Sequence, residues 1–212
     1  SERTRNYEPY AVALTEAAAA CVEPHFKVEL LMEAARLREE NLGQVELAIE
    51  QYYQVFRAGM SADSTIQAGR RLLRLLEKTE RERDTLDVLA RMSELEPIEA
   101  TRKSLLGKLA QLAEKLGDRD RARKAWSSRV GDDMNDLEAL SALIDSAARD
   151  EDYLALVKLL RQRTQAAGAA HQRRDDLAWL ARIYDEKLHD LATAIDTWRE
   201  LKRSYKDDEH AV

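Results

Sequence analysis

Residues 109–126 read LAQLAEKLGDRDRARKAW. Leu109–Ala110, Ala113, Gly117, Ala122 and Trp126 are the fixed points of this stretch. A glycine that stops one helix, followed by an aspartate that caps the next, makes it a helix–turn–helix hairpin. Its last two fixed points recur along the chain. An alanine followed four residues later by an aromatic appears as Ala48–Tyr52, Ala122–Trp126 and Ala194–Trp198, and in weaker form as Thr85–Leu89 and Ala155–Leu159. The first residues of these pairs are 37, 37, 33 and 39 residues apart. A period in the mid-thirties built from two helices is the mark of a solenoid. A longer correspondence runs without gaps at an offset of 146 residues: Tyr7 with Tyr153, Leu14 with Leu160, His25 with His171, Arg36 with Arg182, and Ala48–Ile49 with Ala194–Ile195.

Composition agrees with an all-α chain. Of 212 residues, 44% are hydrophobic and 35% charged, with only 7 Gly and 3 Pro to break helices. The apolar fraction suffices for a core, which argues against disorder. A net charge of −6 disfavours duplex nucleic acid or an anionic membrane as the main partner. No apolar stretch is long enough to cross a bilayer. The single Cys21 excludes an internal disulfide and fits a reducing compartment, so the cytoplasm is the expected location.

The periodicity and punctuation predict eleven helices, at about 6–20, 24–41, 43–57, 62–79, 81–95, 98–116, 118–130, 134–149, 151–166, 170–187 and 190–205. Pro24 and Pro97 suit first-turn positions. Asp118, Asp190 and either Ser61 or Asp63 are the expected N-caps. Connections this short force neighbouring helices antiparallel. The expected fold is a right-handed α-solenoid of five helix pairs, about 24–57, 62–95, 98–130, 134–166 and 170–205. An orphan helix precedes them at 6–20. One uninterrupted domain over 1–212 is expected, since the pattern never breaks for a linker.

These residues resemble the tetratricopeptide repeat (TPR) family. Its pattern runs from a Leu-Gly-like pair through a small residue at the turn, an alanine, an aromatic four later and a terminal proline. The second unit keeps that proline as Pro97. The units at Ala48 and Ala194 carry one extra residue before the turn, where Gly43 and His189 stand. The resemblance implies that the first helix of each unit lines a concave groove. The groove positions would be Met32 and Arg36, Arg70 and Arg74, Lys108 and Gln111, Leu140 and Ile144, and Ala178 and Arg182. The first three units would then offer a basic stripe and the fourth an apolar patch. Arginine forks hold carboxylates bidentately, so an acidic or C-terminal peptide with an apolar anchor would fit. The alternative is a solvated face on which these charges pair with Glu29, Glu39, Glu77 or Glu114.

No motif for catalysis or for a cofactor is present. The four histidines lack the i, i+4 spacing of a metal-binding helix, and the dispersed glycines cannot make a phosphate loop. Cys21 has no paired base in sequence, and the acidic pairs Glu39–Glu40 and Asp132–Asp133 are adjacent and so diverge on a helix. The expected function is a non-catalytic scaffold that binds a protein or peptide, with no cofactor and no metal. A spacer or oligomerisation segment of a larger repeat protein is a second reading, suggested by the orphan first helix and the lack of a polar terminal cap. End-to-end self-association would then follow. An RNA-binding helical repeat is a third, against which the acidic balance argues. In this register the alanine admits close helix approach and the aromatic fills the gap toward the next unit. Ala122→Leu should therefore cost about 1–3 kcal/mol and Trp126→Ala about 3–5 kcal/mol, read from chemical denaturation.

Overall fold

The computed structural model describes residues 2–205, with side chains described from Tyr7 onward. Eleven α-helices occur among them: α1 Glu2–Ala20, α2 Pro24–Leu37, α3 Val45–Ala58, α4 Ala62–Lys78, α5 Glu82–Leu95, α6 Glu99–Lys115, α7 Arg119–Asp132, α8 Leu137–Arg149, α9 Tyr153–Gln165, α10 Arg173–Glu186 and α11 Leu191–Ser204. A π-helical turn, Arg38–Leu42, follows α2. No strand is present among the described residues, and the chain is all-α. Helix ends agree with the sequence reading to within four residues. The largest shifts are at α1, which starts at Glu2, and at α2, whose last turn widens into the π turn.

Side-chain caps fix the helix starts. The Ser61 hydroxyl accepts from the Ser64 N–H, and Asp118, Asp136, Asp152 and Asp190 accept from the N–H three residues on. Each cap satisfies one of the donors that a helix N-terminus leaves unpaired. Asp136 and Asp152 extend the set expected from sequence.

One residue with positive φ sits between the helices of each pair. These are Gly43 (φ 64°), Glu80 (54°), Gly117 (76°), Glu151 (55°) and His189 (53°). Within a unit, left-handed backbone at this point returns the chain and lets the following N–H groups reach back to the last helical carbonyls. In two of the pairs without the extra residue the reach is five: Arg81 N–H to the Leu76 carbonyl, 3.0 Å, and Asp152 N–H to Ala147, 2.9 Å. In the two pairs with the extra residue it is six: Gln44 N–H to Arg38, 2.9 Å, and Asp190 N–H to Tyr184, 2.8 Å.

The chain packs as two compact units, residues 1–116 and 117–212. In the first, each helix from α1 to α6 packs on its neighbour in the chain. Its core joins Leu31, Ala34, Ala35, Ala48, Tyr52, Leu72, Leu76, Leu89 and Met92, all buried. Gly69 marks a close approach: a Cβ there would lie 3.0 Å from the Phe56 ring and closer still to Met92. In the second unit α7 to α11 pack in the same successive way around Ile144, Leu156, Leu160, Leu177 and Leu180. Buried charge is paired there. Arg129 grips Asp136 through two bonds of 2.9 and 3.0 Å, reaches Glu138 at 2.8 Å, and stacks 5.0 Å over the Trp126 ring. Arg163 grips Asp176 through bonds of 2.9 and 2.6 Å.

Of the repeat-signature residues, Ala48, Tyr52, Thr85, Leu89, Ala122, Trp126 and Ala194 are buried. Ala155 and Leu159 are half-buried against the core of the second unit, and Trp198 is exposed. The turn residues give a direct test. A Cβ at Gly43 would meet nothing within 4 Å, so only the backbone resists a side chain there. Gly43→Ala should lower stability by about 1 kcal/mol, and Glu151→Gly should raise it by up to about 1 kcal/mol, read from urea midpoints.

Candidate functional site

The first helices of the first two pairs, α2 and α4, border a cleft of about 730 Å³. Helical spacing places Met32 and Arg36 one turn apart on α2, and Arg70 and Arg74 one turn apart on α4. All four line this cleft, with Met60 at its rim. Three of the expected basic residues are thus brought together in one place.

Their partners differ. Arg36 Nε bonds Glu40 Oε2 at 3.2 Å and its guanidinium lies 4.0 Å from Glu33. Arg70 Nη2 bonds Glu96 at 3.3 Å, and the Glu96 side chain is 1% exposed. Arg74 is exposed and has no acidic partner among the described residues. Sequence reading passed over Arg71, the fourth guanidinium of the cleft. It donates to Glu40 at 2.7 Å and Glu39 at 3.2 Å, and the Tyr52 hydroxyl donates to Glu39 at 2.8 Å. Of the acids considered from sequence, Glu39 serves Arg71, and Glu29 lines the cleft 3.2 Å from His25.

This network fixes the local electrostatics. Hydrogen bonds from Arg71 and then Arg36 hold the Glu40 carboxyl below its ordinary range, and the bond to Glu40 raises Arg71 in turn. Burial, then the bond to Glu39, pushes the Tyr52 phenol well above its usual value. Burial also pushes Tyr53 up to about 12.

The remaining groove positions lie elsewhere. Lys108 and Gln111 line a separate cleft of about 760 Å³ bordered by Leu76, Glu77, Glu80 and Glu82. There Lys115 pairs with Glu82. Leu140 and Ile144, expected as an apolar patch, are wholly buried in the second unit and offer no surface. One helical residue turns about 100°, and the positions one step on, Ser141 and Asp145, are half-buried and exposed. In the second unit Ala178 is half-buried, and Arg182 is exposed, its Nε donating to the Ala178 carbonyl at 3.3 Å.

Among the described residues no group of three or more His, Cys, Asp and Glu is placed to hold a metal. No described helix is long and apolar enough to cross a membrane.

Successive helix–turn–helix pairs with a small residue buried where they meet are similar in plan to the tetratricopeptide repeat. Each unit is TPR-like in fold. No protein-family model and no curated protein matches the chain. Among solved structures it is similar to the nearly identical TPR-like repeats of a kinesin light chain from Podosopora anserina, at 17% identity over 89% of this chain and 100% of that one, with a TM-score of 0.40. A variant of those repeats with a single substitution is similar at 16% identity, covering 84% of this chain and 94% of that one, TM-score 0.39. The MamA protein is similar at 12% identity, covering 87% and 97% of the two chains, TM-score 0.42.

The two tyrosines make the first unit sensitive to alkali. In the unfolded chain both phenols ionise near pH 10, whereas the folded protein holds them protonated to higher pH. Their folded values are raised, so the stability they contribute is full below about pH 10 and is lost as pH rises through the folded values. Urea midpoints should fall between about pH 10 and 12, and Tyr52→Phe should flatten that fall.

Proposed function

We propose that the chain is a non-catalytic scaffold that holds an acidic segment of a partner protein in the α2–α4 cleft. The observation that carries this reading is Arg74. The three neighbouring guanidiniums are held by carboxylates of the chain itself, while Arg74 stands in the same cleft with its fork open. A guanidinium fork matches a carboxylate in two parallel bonds. Met32 and Met60 supply adaptable apolar contact for a side chain beside the acid. The resemblance to TPR arrays, which present a groove to other molecules, supports the same reading. One free cysteine, Cys21, fits a reducing compartment, and the cytoplasm is the proposed location.

The probe is a fluorescein-labelled peptide of alternating glutamate and leucine, titrated at moderate salt. Arg74→Glu should weaken its binding about tenfold with the helical circular dichroism unchanged. Equal affinity for the variant removes the cleft from the site. Displacement of the peptide by equimolar single-stranded RNA would move the reading to nucleic acid. Arg70 serves less well as a test. Arg70→Ala leaves the buried Glu96 carboxylate with the Ile98 N–H but without its guanidinium, and should lower stability by about 1–3 kcal/mol whatever the cleft binds.

A further inference from the structure

The cleft of about 760 Å³ between α4 and α6 carries charge of opposite sign on its two walls. Glu77, near the end of α4, and Glu80, in the turn after it, stand on one side. Lys108 of α6 stands on the other. Buried Leu76 and Leu89, with half-buried Leu112, give the cleft its apolar lining. It lies between helices and not on the outer face of a terminal one: α4, α5 and α6 pack in succession, and all three line it.

The walls are joined at one end only. There Lys115 of α6 pairs with Glu82 at the start of α5. Two turns back along α6, Lys108 has no such partner. The Glu77 and Lys108 side chains are exposed and line the same cleft, yet neither makes a hydrogen bond or ion pair with the other or with any described residue. A carboxylate and an ammonium that face one cleft without meeting are open to a guest that carries the complementary pair. Glu80 adds to the acidic side. It holds left-handed backbone, which Gly43 and Gly117 adopt at the equivalent turns, so a carboxylate stands here at a steric cost that glycine avoids.

The arrangement selects the guest by charge order. In an extended chain, side chains at i and i+2 share one side about 7 Å apart, and the side chain between them faces the other way. A segment that crosses from α4 to α6 can therefore set its middle side chain into the apolar lining and leave its two neighbours over the two walls. A base satisfies the Glu77 side and an acid satisfies Lys108. Two bases or two acids would place like charges together on one wall.

We propose that the α4–α6 cleft seats an extended segment of a partner protein in which an apolar residue is flanked by one basic and one acidic residue. The base pairs with Glu77 and Glu80, the acid pairs with Lys108, and the apolar side chain rests on Leu76, Leu89 and Leu112. Binding here does not depend on what the α2–α4 cleft holds.

The probe is a set of end-capped peptides, Gly-Ser-X-Leu-Z-Ser-Gly, in which X and Z are Lys and Glu, Lys and Lys, or Glu and Glu. Each is titrated into the isotope-labelled full chain. Binding is read by NMR from the backbone amides of Gln111 and Leu112, which line this cleft and not the α2–α4 cleft. The Lys-Leu-Glu peptide should bind about threefold tighter than either like-charged peptide. Lys108→Glu should move the preference to Lys-Leu-Lys, and Glu77→Lys combined with Glu80→Lys should move it to Glu-Leu-Glu. Serine in place of the peptide's leucine should weaken binding about tenfold. The substituted positions are all exposed, and circular dichroism checks that the helices are intact. The proposal is overturned if these amides do not respond at about millimolar peptide, if the three peptides bind alike, or if either charge reversal leaves the preference unchanged. It is also overturned if removal of residues 206–212 strengthens Lys-Leu-Glu binding, because the chain's own end is then the occupant. Self-association in sedimentation that Lys108→Glu abolishes overturns it as well, because the occupant is then a second copy.

Discussion

Left-handed backbone at a single residue is the constraint on which each helix pair depends. A residue with negative φ in that place would continue the first helix or carry the chain away from it. With positive φ, the next N–H groups fold back onto carbonyls that would otherwise face solvent unpaired. Gly43 adopts this conformation without steric cost, while Glu80, Glu151 and His189 adopt it against the preference of a side chain. The packing of the pair has to hold them there. The buried alanines of those pairs contribute to this, since Ala68, Ala147, Ala181 and Ala194 let the helix backbones approach closely.

Close approach in turn governs where charge is admitted. Around the first cleft, guanidiniums stand at the surface and reach carboxylates set deeper, as Arg70 does with Glu96 and Arg71 with Glu39. In the second unit the arginines themselves go inside. Arg129 and Arg163 are each closed by a bidentate aspartate, and Asp136 doubles as the N-cap of α8. Removal of one partner from such a pair leaves a desolvated charge, whereas the intact pair adds little net stability. These pairs therefore specify the geometry of a junction more than they strengthen it.

Much of this was legible in the residues. The alanine–aromatic phase located every helix pair, because small and large side chains in fixed alternation have few packing solutions. Arg36, Arg70 and Arg74 could be grouped because the first helices of the first two pairs border one cleft. Leu140 and Ile144 were misplaced by the template register across the short interval of 33 residues, although their apolar character alone pointed to the core. Arg71 was passed over because its role depends on how α4 meets the π turn that carries Glu39 and Glu40. The extra residue in two of the pairs was visible as spacing, but nothing in its chemistry announced a π turn.

That extra residue has a wider consequence. In both pairs that contain it, the hydrogen-bonded loop at the turn lengthens by one residue, and the next helix still begins in step, with Ala48 and Ala194 seated alike. The inserted length is absorbed where it arises and is not handed on as a phase error. An architecture of this kind tolerates small insertions and deletions at its bends while its contact lattice stays in register. Lineages of such arrays can therefore drift in repeat length without having to rebuild their cores.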